Sequence, residues 1–173
     1  MPFQNFNPSK ARGYGWVPPC SPSPYILALL LYLEASENWN YEALMSLFDD
    51  SLQHWTLPRS LNRPLLNKRQ YGEYLKVVRP TFSTFKVTVN EVIEAENKMS
   101  VHASLQAESV KGTAFNGEYI LIFHFVPKLP TDDVDALPKI CLVKEFIDSA
   151  ASAKFYIDEK AAKVPHEEKA GRK

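Results

Sequence analysis

The sequence has few of the residues that would reveal a specialised fold or motif. It contains only two cysteines, Cys20 and Cys141, and six glycines among 173 residues. Two cysteines cannot build a disulfide framework, which favours a reducing compartment, and we expect a cytoplasmic protein. So few glycines argue against phosphate-binding and dinucleotide-binding loops, and neither motif occurs. The four histidines do not fall at a metal-ligand spacing, so we predict no metal and no cofactor.

An excess of charge of one sign and long apolar runs are also missing. Lysine plus arginine and aspartate plus glutamate both number 20, so the net charge is zero and nothing indicates a nucleic-acid binder. The longest apolar run, residues 25–33, is about half as long as a membrane-spanning helix. It follows a proline-rich stretch without a cleavage-site pattern, which argues against a secretory signal. We therefore expect neither nucleic acid nor membrane as a partner.

Composition divides the chain into three segments. Residues 1–22 form a proline-rich arm, because six of the 13 prolines lie within the first 24 residues and proline disrupts helices and central strands. Aromatic residues in this arm favour an arm lying on the domain surface, and a disordered tail fits its composition equally well. Residues 158–173 are small and charged, which predicts a solvated tail. Residues 23–157 remain as one folded domain, and 45% hydrophobic content is enough for its core.

Helical signals fill the first half of this domain. Ser23 is a typical N-cap before Pro24 at the first helical position. Asn67 and Gln70 have the spacing of a capping box. Together with the spacing of apolar residues, these signals predict helices over residues 24–38, 41–48 and 68–78.

Strand signals dominate the second half. A short strand over residues 51–57 ends at a proline, and from residue 82 onward apolar residues alternate with polar ones. This period of two predicts consecutive strands around residues 82–95, 101–107, 117–126 and 139–148. The third of these is apolar on both faces, as in strands buried on both sides. Helices segregated from antiparallel hairpins predict an α+β fold, with the sheet curled around the helices and a cavity between them.

Three strings carry a family resemblance. They are WNYEAL at residues 39–44, LFDD leading into QHWTLP at residues 47–58, and KICLVKEFIDS at residues 139–149. With the order of elements, they make the chain resemble the SnoaL-like family of the nuclear-transport-factor-2-like superfamily, particularly its fungal members, over about residues 24–157.

The resemblance implies a cone-shaped α+β barrel, in which a curved antiparallel sheet wraps on three N-terminal helices, and a homodimer formed through the outer face of the sheet. Members of this superfamily include ketosteroid isomerase, limonene epoxide hydrolase, scytalone dehydratase, polyketide cyclases and non-catalytic ligand-binding proteins. It therefore implies a cavity for a small apolar molecule. One hypothesis is a cofactor-independent isomerase, cyclase or dehydratase acting on a polyketide- or terpenoid-like substrate; the other is a non-catalytic dimeric ligand-binding or scaffold protein.

Glu145 is the first catalytic candidate. It shares a strand face with Val143 and Ile147, and the match to ketosteroid isomerase turns that face inward. A carboxylate beside two apolar side chains is desolvated and suited to proton transfer. The alternative is an ion pair with a basic residue on a neighbouring strand. Val143 and Ile147 are predicted to contact the substrate.

His54 is the second candidate, on the early strand near the place where ketosteroid isomerase has its base. An imidazole titrates near neutrality and can shuttle a proton. The alternative is a histidine bonded to a backbone carbonyl at the strand end. Thr56 shares its face, and Trp55 takes the opposite face unless it turns inward at the mouth to stack on a flat ligand. Both neighbours are predicted to bind substrate.

Tyr119 is the third candidate, because it shares the inward face with Leu121 and Phe123. Its hydroxyl can donate to a developing oxyanion, and the alternative is a core tyrosine with its hydroxyl at the rim. Phe123 is predicted to contact the substrate.

The remaining polar residues receive structural assignments. By strand parity, His102 and His124 are expected on the outer face. Asp148 is expected to cap the segment that follows the last strand. Arg59 is expected on the surface rather than at the cavity mouth.

Overall fold

The computed structural model describes residues 15–127, 133 and 136–162. Within them the α-helices are α1 (Pro24–Glu37), α2 (Tyr41–Ser46), α3 (Lys68–Val78) and α4 (Ser149–Ala161). The strands are β1 (Phe48–Leu57), β2 (Leu66–Asn67), β3 (Phe82–Ala95), β4 (Lys98–Ser109), β5 (Ala114–Phe125) and β6 (Ile140–Ile147). None of these helices is long and apolar enough to cross a membrane.

Helix starts follow the predicted capping residues. The Ser23 hydroxyl accepts a hydrogen bond from the backbone N–H of Ile26 at 3.1 Å. Asn67 and Gln70 form the complete capping box, in which each side chain accepts from the other residue's backbone N–H. The Asp148 carboxylate caps α4, as predicted, by accepting from two backbone N–H groups at 3.0 Å. Side chains at these positions satisfy donors that the first helical turn leaves unpaired.

Two boundaries differ from the sequence-based expectation. Helix α2 ends at Ser46, and β1 already begins at Phe48, because Phe48 pairs with Ile140 of the last strand. Helix α4 continues to Ala161, four residues beyond the expected end of the domain. Hydrogen bonds from Ser109 and Lys111 to Glu159 hold this last turn in place.

The sheet has the strand order β2-β1-β6-β5-β4-β3. Strands β3 to β6 form the predicted antiparallel neighbours, whereas β1 runs parallel to β6. The sheet is therefore mixed rather than wholly antiparallel. A tight turn sets the direction of a hairpin, but β1 and β6 are far apart in sequence, and no turn links them.

The core lies between α1 and the concave face of the curved sheet. Leu29, Leu33 and Phe123 are each 1% exposed. On β5, Leu121, Phe123 and Phe125 are buried on the inner face, whereas Ile120 and Ile122 on the opposite face are half-buried. The predicted burial of both faces is thus complete only on the inner face, and only over the second half of the strand.

Only part of the proline-rich arm lies within the described residues. Trp16 donates its backbone N–H to the Val89 carbonyl at 2.7 Å, and its ring packs against the core. The arm thus contacts the domain surface at this point. Residues 1–14 and 163–173, which include most of the predicted arm and tail, lie outside the described residues.

Candidate active site

A cavity of about 510 Å³ opens between the inner face of the sheet and helices α1, α3 and α4. Its volume lies in the range typical of small-molecule sites. One wall is aromatic, with Trp39 packed on Phe85 at a ring-centroid distance of 5.0 Å and Phe82 stacked on Phe155 at 5.5 Å. We call this space the main cavity.

His54 and Glu145 meet inside the main cavity. His54 on β1 lies opposite Val143 of β6, and Thr56 lies opposite Glu145, so strand alternation turns both candidates inward. His54 Nε2 lies 3.4 Å from Glu145 Oε2. The His54 residue is 2% exposed, and the Glu145 side chain retains 33% exposure. Glu145 therefore lies on the predicted inward face of β6. It also makes the contact with a basic residue on a neighbouring strand that was the alternative prediction.

Two further features distinguish His54 from a histidine that only fills the core. Its ring stacks on Tyr71 of α3 at 4.2 Å and an interplanar angle of 15°. The buried Nδ1 atom has no hydrogen-bond partner among the described residues. Buried polar atoms are nearly always paired, so this nitrogen is an exception within the core.

Sequence reasoning missed three tyrosines around this pair: Tyr32, Tyr71 and Tyr74. The hydroxyls of Tyr32 and Tyr71 hydrogen-bond to each other, and burial, reinforced by the charge of Glu145, raises both pKa values above their usual range. At the mouth, desolvation and then Glu145 raise the pKa of Tyr74 to about 12. All three therefore stay protonated at neutral pH. The available signal was the spacing of Tyr71 and Tyr74, which puts both on one helix face.

The other predicted contact residues divide into two groups. Thr56, Tyr119 and Ile147 line the main cavity. Val143 and Phe123 do not: each is 1% exposed, and they pair with each other in the core, where the ring of Tyr32 packs on Phe123 at 5.2 Å. The prediction that Val143 and Phe123 contact the substrate is therefore corrected. Both lie on the inward face of their strands, but in a part that packs in the core rather than beside the main cavity.

Trp55 does not line the main cavity. Its neighbour across the sheet is Lys144 on the outer face, and the guanidinium of Arg59 lies 4.4 Å from the centre of its ring. Strand alternation continues without a bulge from Gln53 to Leu57, so Trp55 cannot turn into the main cavity. Arg59 accordingly lies outside that cavity, as expected.

The remaining histidines lie on the outer face. His102 Nε2 is 3.9 Å from Glu118 Oε1, and partial burial together with Lys98 and Lys144 lowers the pKa of His124. No three side chains of the described residues gather as potential metal ligands.

Comparison with known proteins supports the fold. No protein-family model matches the sequence. Monooxygenase AacuO of Aspergillus aculeatus is 27% identical over 121 residues, covering 69% of this chain and 70% of that protein. The BvnE pinacolase structure from Penicillium brevicompactum has a TM-score of 0.67 and 21% identity, covering 80% of this chain and 95% of that one. PrhC from Penicillium brasilianum has the same TM-score at 16% identity, covering 80% and 89%.

These similarities define the class of protein at the level of the fold. The chain has the nuclear-transport-factor-2-like α+β fold, and its structural neighbours include one protein described as SnoaL-like and several from fungi. The resemblance carried by the three sequence strings is thereby confirmed for the fold.

Proposed function

We propose that the protein binds a small, predominantly apolar molecule in the main cavity and moves a proton within it without a cofactor. The observation that carries this proposal is the His54–Glu145 pair, 3.4 Å apart in a cavity with an aromatic wall. An acid–base pair in such surroundings interacts more strongly than in water, because the local dielectric is low.

Glu145 is the group that exchanges the proton with the ligand, because its side chain is 33% exposed whereas that of His54 is 3% exposed. Its carboxylate accepts a proton from a C–H or O–H group of the ligand, and the His54 ring, 3.4 Å away, holds the carboxylate in position. The same proton then returns to a different atom of the ligand. Isomerisation, cyclisation and dehydration all need such a transfer.

A tyrosine hydroxyl stabilises the negative charge that this transfer creates on a ligand oxygen. Tyr119 lines the main cavity from β5 and is the proposed donor. Tyr71 is buried and its hydroxyl is bonded to that of Tyr32, so its part is to hold the His54 ring on which it stacks. Donors fixed in place before reaction stabilise an oxyanion without reorganisation.

The comparisons support chemistry on small molecules in general and do not select a substrate. BvnE is a pinacolase and AacuO a monooxygenase, so enzymes occur among the proteins with this similarity. The apolar lining and the family resemblance favour a polyketide- or terpenoid-like substrate.

Glu145→Gln and His54→Asn test the mechanism. A thermal-shift screen of polyketide- and terpenoid-like molecules identifies ligands, and product analysis identifies turnover. We expect each variant to bind the ligand and to lose about 10²–10⁴-fold in kcat, the usual contribution of a general acid–base group.

Glu108→Gln is the matched control, because Glu108 is exposed on β4 and does not line the main cavity. The melting temperature of every variant is measured to separate lost chemistry from lost folding. Full turnover by a folded Glu145→Gln variant would refute the acid–base role.

A non-catalytic dimeric binding or scaffold protein is the second candidate, favoured by the outer face of the sheet. Phe146 is 48% exposed there and lies opposite Ile120, and Ile93 on the same face is 59% exposed. Apolar groups in such an arrangement are typical of an interaction surface. Ligand binding without turnover, in a protein that forms dimers, would support this candidate over the enzyme.

A further inference from the structure

A second, smaller cavity adjoins the main one at the edge of the sheet. It has a volume of about 270 Å³ and is lined by the end of β1 (residues 55–57), by Arg59 and by residues 62–65. Strand β2 pairs only with Gln53 and His54, so the edge of β1 beyond His54 is open to this space. We call it the edge pocket.

The edge pocket and the main cavity share part of their lining. Thr56, Arg63 and Pro64 contribute to both. Arg63 lies between the two spaces, with its guanidinium 6.0 Å from the ring centre of Tyr156 on α4. Its positive charge also opposes the rise in the pKa of Tyr74 at the cavity mouth. A ligand that fills the main cavity can therefore extend a substituent past Arg63.

The edge pocket is positively charged although the whole chain is neutral. Residues 51–72 contain four basic residues, Arg59, Arg63, Lys68 and Arg69, and no aspartate or glutamate. Lys68 is paired with Asp50 at 2.8 Å. Arg59 and Arg63 form no ion pair with any carboxylate in the described part of the chain.

Stacking leaves the donors of Arg59 available. Its guanidinium lies over the Trp55 ring at 4.4 Å, and a guanidinium held by its face keeps its N–H groups directed outward in its own plane. This geometry suits an oxyanion, which accepts two parallel hydrogen bonds from one guanidinium. The charge cannot be lost by deprotonation, because arginine remains protonated in proteins.

We propose that the edge pocket binds an anionic group, a carboxylate or a chemically similar oxyanion, on the molecule whose apolar body occupies the main cavity. This assignment rests on the proposed binding function and narrows the ligand to an amphipathic organic anion. Arg63 is the principal contact, because it borders both spaces, and Arg59 adds the second cation. The reacting end of the ligand then lies toward His54 and the anionic end toward the sheet edge.

A pair of probes with the same aromatic body and different charge tests the proposal. 2-Naphthoate and methyl 2-naphthoate have the same aromatic body, and only the acid is ionised at neutral pH. By isothermal titration calorimetry, we expect the acid to bind about tenfold more tightly than the ester, as for a hydrogen bond to a charged group. Arg63→Gln should remove most of this difference, by weakening binding of the acid much more than binding of the ester.

Two further variants sharpen the result. Arg63→Lys keeps the charge but loses the planar fork, so we expect it to restore only part of the preference for the acid. Arg69→Gln is the matched control, because Arg69 is exposed on α3 and lines neither space. It should keep the full preference.

The outcomes separate this proposal from the proposed function. Equal binding of acid and ester, or the same loss of preference in Arg69→Gln, would overturn the anion site while leaving the apolar cavity as a ligand site. Inorganic phosphate that binds alone as tightly as 2-naphthoate would overturn the link to the cavity ligand. Failure of both probes to bind to the folded protein would count against both proposals.

Discussion

At the residue scale, Trp39 stands out because its backbone adopts a left-handed conformation with φ of 51°. It follows Asn38, the C-cap of α1, at a position where helices usually end with glycine. A bulky residue there costs about 1–2 kcal/mol relative to the ordinary right-handed region. Its ring rests on Phe82 and Phe85 in the wall of the main cavity. Backbone strain is often found at ligand-binding sites, which supports a contact between the Trp39 ring and the proposed ligand.

Trp39→Gly tests whether the Trp39 ring contributes to ligand binding or only to packing. Glycine relieves the backbone strain and removes the aromatic wall, so we expect a folded protein that binds methyl 2-naphthoate about tenfold more weakly, the loss of one good aromatic contact. Calorimetry measures the affinity and thermal melting the stability. Trp39→Phe is the control, since it retains both an aromatic ring and the strained backbone. Unchanged affinity in the glycine variant would show that the ring serves only packing.

At the scale of elements, α4 closes one side of the main cavity. Phe155 is 5% exposed and packs on Phe82 and on Phe115, while Tyr156 reaches the mouth. The last turn is held by Glu159, whose carboxylate accepts from the Ser109 hydroxyl at 2.6 Å. That hydrogen bond lowers the pKa of Glu159 below its ordinary value of 4.5, with smaller contributions that include Lys111.

This lowered pKa predicts an acid-sensitive attachment of α4. A carboxyl group whose folded pKa is depressed stabilises the fold fully above its unfolded pKa, and that stability is lost as pH falls through the folded pKa. We therefore expect Glu159→Gln to melt at a lower temperature near pH 7 and to lose less stability than the native chain between about pH 5 and about pH 3.

Melting temperature measured across that pH range checks the prediction. Glu94→Gln, an exposed position on β3, is the control and should follow the native profile. Parallel profiles for the native chain and Glu159→Gln would show that the Ser109 contact does not hold the helix.

At the scale of the whole molecule, the outer face of the sheet supports a homodimer as a proposal. Ile93, Ile120, Ile122 and Phe146 lie on that face, on three of the four long strands β3 to β6. Their apolar surface is only partly covered within one chain. A second copy of the chain would bury it and gain the associated hydrophobic free energy.

Phe146→Glu tests this assembly. We expect the native chain to sediment as a dimer at micromolar concentration and the variant as a monomer, because a carboxylate in an apolar interface is costly to desolvate. Val77→Glu, at an exposed site on α3, is the matched control and should remain dimeric. A monomeric native chain at this concentration would contradict the proposal.

Features of the site that depend on neighbouring residues were predictable from the sequence, whereas contacts between distant segments were not. Alternation along β1 and β6 showed which residues share a face with His54 and Glu145, since it is a local property of a strand. The inward direction of those faces came from the resemblance to ketosteroid isomerase. The same reasoning wrongly predicted that Phe123 and Val143 contact the substrate. Alternation identifies the residues on one face, but it does not show which part of that face borders the cavity. The contribution of Tyr71 was not predictable, because nothing in its own segment indicates which strand α3 will cover.

The sequence by itself determined the helix starts at Ser23 and Asn67, the cap at Asp148 and the alternation of the long strands. Each depends on interactions between residues a few positions apart, whose geometry the backbone fixes. Only the tertiary structure decided that β1 runs parallel to β6, that His54 meets Glu145 and that Arg63 lies between two cavities. Those contacts join distant segments, and their geometry follows from how the whole core packs.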